Sequence, residues 1–251
     1  MIYIPTYGRV DRQVTFENLP TQYQEMCTFV VYHEEAHHHV ERGRKVLALP
    51  PGHDRGIGNK REYIRKRATE NIIVMLDDDL VFAARREDDP TKFRTMEPAD
   101  YERMFHSIEV AGGDYMHGAI AMREGGNRNT ADSMVNTRAL RAHFIRRDAP
   151  AQYWDNYMED FHFTLQLLTQ GWPNIVLNAW VSNQSGSNKE GGCNEEGRMV
   201  KHAAAAHELH AAFPDYVTVV EKETKGAWGG GKRTDVRIQW KRAYAAGMNR
   251  R

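Results

Sequence analysis

The sequence predicts an α/β fold in which helices flank a mixed, mostly parallel sheet. Three observations predict it. Four short apolar runs, each β-branched or aromatic in character, fall within the first eighty residues. The segments between them are long enough for helices, the alternation that builds a parallel sheet. Three consecutive carboxylates, Asp77-Asp78-Asp79, close the fourth run, at the C-terminal strand edge where open parallel sheets bind ligands.

In chain order, Ile2-Tyr3-Ile4, Thr28 to Tyr32, Lys45 to Leu49 and Ile72 to Leu76 end in turn or polar residues and read as buried strands. Val10 to Gln24 and Gly58 to Thr69 read as the intervening helices. Further on, Asp114 to Met122 reads as a strand and Asp132 to Arg146 as a helix. Phe161 to Gln170 reads as a helix closed by Gly171, with Pro173 just beyond. Ile175 to Val181 reads as another strand. Ser182 to Gly197, rich in Ser, Asn and Gly, reads as a long loop, and long loops in compact domains are often functional. A helix is expected over Arg198 to Ala212, stopped by Pro214. From Lys225 the chain is Gly-rich and then basic. The expected organisation is one domain over 1–225 and a basic C-terminal tail over 226–251.

Composition bounds the function classes. At 251 residues, 41% hydrophobic and 27% charged, the chain suits one globular domain with an appendage. No apolar run approaches the roughly 18–20 residues that cross a bilayer. Met1 leads directly into Ile2-Tyr3-Ile4, without the pattern of a signal peptide. The expectation is a cytoplasmic protein with no membrane span. Two distant cysteines, Cys27 and Cys193, make no disulfide framework. With 34 basic and 34 acidic side chains the net charge is zero, which argues against a uniformly positive surface. The charges are nevertheless uneven: 60–67 holds five basic groups and one acidic, and 232–251 holds seven and one.

Two acidic groups carry the chemistry. Alternate residues of an extended segment share a face, so Asp77 and Asp79 can point together. Two such carboxylates suit a hard divalent ion, Mg²⁺ or Mn²⁺, that would also bind phosphates. Glu159-Asp160 opens a helix whose Phe161, Leu165 and Leu168 face the core. These acids either cap the helix and complement its dipole or supply a general base. Upstream of both in the chain, Gly56 and Gly58 permit close backbone approach at a helix start, and Lys60 and Arg61 add positive charge there. His37-His38-His39 reads as a polar segment or a metal-binding one, and His202, His207 and His210 share a predicted helix.

Leu76-Asp77-Asp78-Asp79 resembles the DXD motif of GT-A glycosyltransferases, whose acids hold the metal that bridges the donor diphosphate. Ile4-Pro5-Thr6-Tyr7-Gly8-Arg9 resembles the family's first strand and nucleotide-binding loop. Tyr32-His33-Glu34 resembles the second strand end, where an acid contacts the base or ribose. Gly56-Ile57-Gly58-Asn59-Lys60-Arg61 resembles the loop and helix start beside the donor. The resemblance covers roughly the first 185 residues. It implies a GT-A (Rossmann-like) fold, Mn²⁺ or Mg²⁺ at Asp77 and Asp79, and a nucleotide-sugar donor, a UDP-sugar above others. Its donor contacts fall on Pro5, Thr6, Tyr7, Arg9, Glu34, Gly58, Lys60, Arg61 and Asp78. It implies Asp160 as catalytic base, with Glu159 as the alternative, inversion at the anomeric carbon, and a third metal ligand, often His, from the C-terminal part.

The amide-rich loop (Gly186-Ser187-Asn188, Gly191-Gly192-Cys193) and the segment Arg237-Ile238-Gln239-Trp240-Lys241-Arg242 resemble bacteriophage glycosyltransferases that decorate hydroxymethylated pyrimidines in DNA. That implies DNA as acceptor, with Arg237, Trp240, Lys241 and Arg242 on it and Trp228 available for stacking. Two alternatives stay open: a cytoplasmic enzyme of cell-surface polysaccharide or glycolipid synthesis, and a non-catalytic carbohydrate- or nucleic-acid-binding module. A sugar-phosphate nucleotidyltransferase would want a Gly-rich basic loop after the first strand, which Pro5-Thr6-Tyr7-Gly8 does not supply.

Overall fold

The computed structural model describes residues 1–184, 197–224 and 231–250. Its first strand is β1 (Ile2–Pro5). The helix expected over Val10 to Gln24 is divided into α1 (Val14–Asn18) and α2 (Thr21–Gln24). Pro20 divides it: proline lacks an N–H and forces the residue before it out of the helical region, and Leu19 is extended at ψ 142°. Then come β2 (Cys27–Val31), α3 (Ala36–Glu41), β3 (Val46–Ala48), α4 (Ile57–Arg67) and β4 (Ile72–Leu76). These match the expected order.

The next stretch departs from it. After the acid turn come β5 (Leu80–Arg85), β6 (Phe93–Thr95) and the long helix α5 (Pro98–Asp114), none of them expected. A reciprocal capping box between Glu97 and Asp100 starts α5, with Pro98 in its first turn. β7 (His117–Met122) is the expected strand, begun later because α5 runs through Asp114.

The helix expected over Asp132 to Arg146 is instead two strands, β8 (Ser133–Val135) and β9 (Ala142–Arg146). Asn136 and Arg141, at φ 55° and 63°, interrupt any helix there. β9 runs antiparallel between β4 and β7, so Ala142 to Ile145 are all buried and show no strand alternation.

α6 (Glu159–Thr169) and β10 (Asn174–Gln184) follow. β10 thus takes the first three residues of the expected loop; its residues 185–196 lie outside the described ones, and Gly197 caps the helix that follows. α7 (Arg198–Ala212) matches its expected bounds. β11 (Val217–Thr224), β12 (Gly231–Ile238) and α8 (Trp240–Met248) end the chain.

Among the described residues, ten strands form one sheet in the order β3-β2-β1-β4-β9-β7-β10-β5-β6, with β8 also on β10. β3, β2, β1 and β4 are mutually parallel, so their C-terminal ends share an edge. One sheet face packs Phe29, Leu76, Phe82 and Phe144 with Tyr101 and Met104 of α5. The other packs Ile73, Met75 and Ile145 against Ile64 of α4 and Phe163 and Leu167 of α6. β11 and β12 pair antiparallel from Val217–Ile238 to Thr224–Gly231, across the expected 225/226 boundary. Val217, Val236 and Ala243 share a core with Leu165 and Leu168 of α6 and Leu209 of α7. The segment read as a basic tail is therefore folded against the domain, because its apolar residues sit on one side of a hairpin and a helix. No described helix is long and apolar enough to cross a membrane.

Candidate active site

The parallel strand ends open onto one cavity of about 920 Å³, a volume suited to a small-molecule ligand. The end of β1 and its loop bring Pro5, Thr6, Tyr7 and Arg9, and the end of β2 brings Tyr32. The start of α4 brings Arg55, Gly56, Ile57, Lys60 and Arg61. Asp77, Asp78 and Asp79 follow β4; Leu140 and Arg141 precede β9. The start of α6 contributes Asp155 to Tyr157 with Glu159 and Asp160. Gln184 closes β10, and Arg198 and Lys201 open α7.

The acid turn is held from behind by Thr15, a buried residue of α1. Its hydroxyl donates to the Asp77 carbonyl and accepts from the Leu80 N–H at 2.7 Å, while the Thr15 N–H donates to the Asp78 carbonyl at 3.1 Å. Asp78 is occupied by the first loop: Thr6 Oγ1 donates to it at 2.5 Å, as does Arg9 Nη1 at 2.5 Å. Gln13, fully buried, in turn donates to Thr6 Oγ1 at 3.0 Å. Thr15 and Gln13 carried no signal in the sequence because their role is to hold a turn distant in the chain, and Thr6, expected as a donor contact, is bonded to that same turn.

Arg61 is the centre of a buried ion triad. Its Nη2 donates to Asp77 Oδ1 at 2.7 Å and its Nη1 to Glu159 Oε1, tying the end of β4 to the start of α6. Burial alone would lower the guanidinium pKa; Glu159 and Asp77 more than offset it. Burial pushes Asp77 up to about 6 against the pull of Arg61, with Asp79 and Asp78 adding repulsion.

Asp79 is 6% exposed. One of its oxygens meets Arg9 at 3.3 Å, and the other, Oδ1, is buried without a hydrogen-bond partner. Among the described residues no three His, Cys, Asp or Glu side chains converge as a complete metal cage. An acceptor oxygen left over beside Asp77 fits a divalent ion of the kind held by one or two carboxylates, with phosphate and water completing the shell.

Asp160 occupies the first turn of α6 behind Met158, which adopts a left-handed backbone at φ 62°. Burial, then the neighbouring Glu159, push its carboxyl well above the usual carboxylate range; Arg61 and the Phe161 N–H pull the other way. The acid pair is thus split: Glu159 is bound to a cation and Asp160 stands beside it with raised proton affinity.

At the β1–β2 end, Tyr7 and Tyr32 meet edge to face at 5.6 Å. The Arg55 guanidinium lies 4.8 and 5.1 Å from their ring centroids, and Lys60 Nζ lies 4.1 Å from Tyr32. Lys60 also donates to the Thr6 carbonyl. Glu34 is exposed and pairs with Arg55 at 2.6 Å, outside the cavity wall. Its neighbour Glu35 accepts from the Gly8 N–H at 2.6 Å, so the adjacent acid, not the expected one, meets the first loop.

Several expected residues lie elsewhere. Gly58 does not line the cavity: a Cβ there would stand 1.8 Å from the Trp154 carbonyl oxygen, so its bareness lets α4 pack on the segment leading to α6. Arg237, Lys241 and Arg242 are exposed and off the cavity wall. Trp240 packs edge-on against Phe161 at 5.5 Å and anchors α8. Trp228 lies outside the described residues. His39 is buried against Phe29 and held neutral, its pKa pushed down to about 4 by burial. His202 and His210 contact the Thr234 and Val217 carbonyls, and neither they nor His207 reach the cavity. Arg141, Arg198 and Lys201 were not expected there.

The family model of TET-associated glycosyltransferases matches residues 1–192. This chain belongs to that family. The glycosyltransferase is 23% identical over 227 residues to the beta-glucosyl-HMC-alpha-glucosyl-transferase of Enterobacteria phage T6, covering 84% of this chain and 80% of the relative. It is 22% identical to the phage T2 protein of the same name, with the same coverage. Its fold is that of glucosyl-3-phosphoglycerate synthase from Mycobacterium tuberculosis, solved with Mn²⁺, UDP and phosphoglyceric acid. The TM-score is 0.53 at 10% identity, covering 96% of this chain and 89% of the other. A mannosyltransferase from Pyrobaculum calidifontis, solved with GDP-Man and Mn²⁺, superposes with TM-score 0.55 at 14% identity, covering 85% and 64%. The GT-A architecture expected from the sequence is therefore the one found.

Proposed function

We propose that this glycosyltransferase moves a sugar, glucose first among candidates, from a UDP-sugar to a hydroxyl on a modified pyrimidine of DNA in a phage-infected cell's cytoplasm. The hydroxyl is that of a hydroxymethyl group or of a sugar already attached to it. The names of the two phage relatives support the acceptor class. The observation that carries the site assignment is the division of the acids. Arg61 takes Glu159 and Asp77, Thr6 and Arg9 take Asp78, and Asp79 keeps an unpartnered oxygen while Asp160 stands at the cavity with raised proton affinity.

In this reading Tyr7, Tyr32 and Arg55 flank the base and Lys60 and Arg9 offset the donor's negative charge. Asp79, with Asp77 beside it, would hold Mn²⁺ or Mg²⁺, which when bound neutralises charge on the departing diphosphate. Asp160 accepts the proton of the attacking hydroxyl, and a single displacement inverts the anomeric carbon. The relatives' names favour a second reading: an α-glucosyl product from an α-linked donor means retention, with Asp160 orienting the hydroxyl. The anomeric configuration of the product, read by proton NMR, separates the two.

For the acceptor, Arg141, Arg198 and Lys201 lie on the cavity wall. α7 is fastened to the segment before the acid pair, where Asn156 donates to Glu208 at 2.5 Å and the Tyr157 ring sits 6.3 Å from His202. We assign the backbone phosphates beside an extruded base to these cations rather than to Arg237, Trp240, Lys241 and Arg242. The test offers UDP-sugars with DNA carrying 5-hydroxymethylcytosine, with or without a β-glucosyl group, and weighs the digested nucleosides. A hexose-sized gain is expected. No gain on any DNA, alongside transfer to a lipid or oligosaccharide, overturns the acceptor. Arg198→Ala with Lys201→Ala should raise KM for DNA and flatten its salt dependence, more than neutralising Arg237, Lys241 and Arg242 does.

A further inference from the structure

His117 on β7 and His143 on β9 lie on neighbouring antiparallel strands, 0 and 1% exposed, with ring centroids 5.9 Å apart. The Tyr153 ring stands edge-on to His143 at 6.1 Å and stacks on Phe163 at 4.3 Å. Both nitrogens of each imidazole, the Tyr153 hydroxyl and Nε of Arg61 are buried without a protein hydrogen-bond partner. The Arg61 cation acts electrostatically on all three rings. Burial, and then that cation, keep both imidazoles neutral at ordinary pH, so each must place one donor and one acceptor.

Six such atoms in one buried group are a load that folded proteins relieve with internal water, which needs two to four polar partners. The three rings are neighbours, yet no hydrogen bond joins them directly, the arrangement that a bridging water satisfies. Arg61 bonds Glu159 through Nη1 and Asp77 through Nη2, and its Nε is the nitrogen left without a partner.

We propose that His117, His143, Tyr153 and the Nε of Arg61 enclose a buried water site that positions Arg61, and through it Asp77 and Glu159, for glycosyl transfer. These residues are positioning residues, with no contact to the reacting atoms. Water on Nε completes the restraint of a planar group already held by its other two nitrogens. The spacing between the acid turn of β4 and the acid pair of α6 then depends on the chamber beneath it.

Three variants and one spectrum test this. Tyr153→Phe keeps the stack on Phe163 and removes only the hydroxyl. It should lower Tm and reduce kcat several-fold, with KM for the donor within about two-fold of wild type. An unchanged or raised Tm with unchanged kcat means the hydroxyl meets nothing and overturns the proposal. His143→Leu should lower kcat about ten-fold, as small misplacements of catalytic groups do, again with donor KM nearly unchanged. His143→Gln, able to bond the same water, should restore most of it. Loss of Tm without loss of kcat in His143→Leu, or no rescue by glutamine, leaves the cluster merely structural and refutes the positioning role. In the wild-type protein, the imidazole N–H protons of His117 and His143 should show cross-relaxation to long-lived water. Its absence from both rings removes the water site.

Discussion

Arg61→Met removes the cation that Asp77 and Glu159 share while filling its aliphatic volume. The side chains are 3% (Arg61), 21% (Asp77) and 9% (Glu159) exposed, so little solvent is present to replace it. Breaking a buried pair by deleting one partner costs about 3–5 kcal/mol. Partial solvent access at Asp77 puts the expectation at the lower end, about 3 kcal/mol, or a Tm drop of roughly 6–12 °C for a domain of this size. The sign with pH is fixed. Asp77 already has its folded-state pKa raised, to about 6. A carboxyl raised in the folded state contributes stability below its unfolded pKa and loses it as pH rises through the folded value. Without Arg61 that rise is larger, so the deficit should open as pH climbs above about 6 and narrow at more acid pH. Calorimetry of wild type, Arg61→Met, Glu159→Gln and the double variant, at pH values on either side, measures it. The double variant should regain part of the loss, since residues in one ion network are not additive. A Tm loss under about 2 °C, or an equal loss with and without Glu159→Gln, refutes the triad.

Asp79→Ala should abolish turnover and the Mn²⁺-dependent part of donor binding while leaving Tm near wild type; calorimetric titration of UDP-glucose with and without Mn²⁺ reads this, and full activity in excess EDTA would refute the metal. Asp160→Asn should bind donor within a few-fold of wild type and lose roughly 10²-fold or more in kcat; an active Asp160→Asn beside a dead Glu159→Gln reverses the assignment. Because the base works ionised and its carboxyl is pushed up by burial and by Glu159, kcat/KM should fall on the acid side at a pH well above the ordinary carboxylate range of about 4. Gly58→Ala should cost about 1–3 kcal/mol by overpacking, because its Cβ meets the Trp154 carbonyl oxygen at 1.8 Å; a variant with wild-type Tm would show that the contact relaxes freely.

The four parallel strands and the acid turn were legible in the sequence because their signals are local: apolar runs with polar ends, and three carboxylates no surface turn needs. α6 and α7 were legible for the same reason, as apolar periods with glycine or proline stops. β9 was not. Its burial on both faces comes from insertion between β4 and β7, a partnership no local period records. The hairpin β11–β12 was hidden in the same way, its strands being polar on the side away from α6 and α7.

At the site, the sequence alone determined which chemistry is present: acids at a parallel strand edge, an acid pair opening a helix, and cations at the start of another helix. The tertiary structure decided which acid is paired and with what. Asp77, Asp78, Asp79, Glu159 and Asp160 are alike as residues. Only the arrival of Arg61, Thr6 and Arg9 from distant segments distinguishes them, by spending three on hydrogen bonds and ion pairs. The same packing moved Gly58 from ligand contact to helix packing, turned Trp240 into an anchor, and brought Arg198 and Lys201 to the cavity. A side chain's proton affinity and partners are set by what is desolvated beside it, and that neighbourhood exists only once the chain has folded.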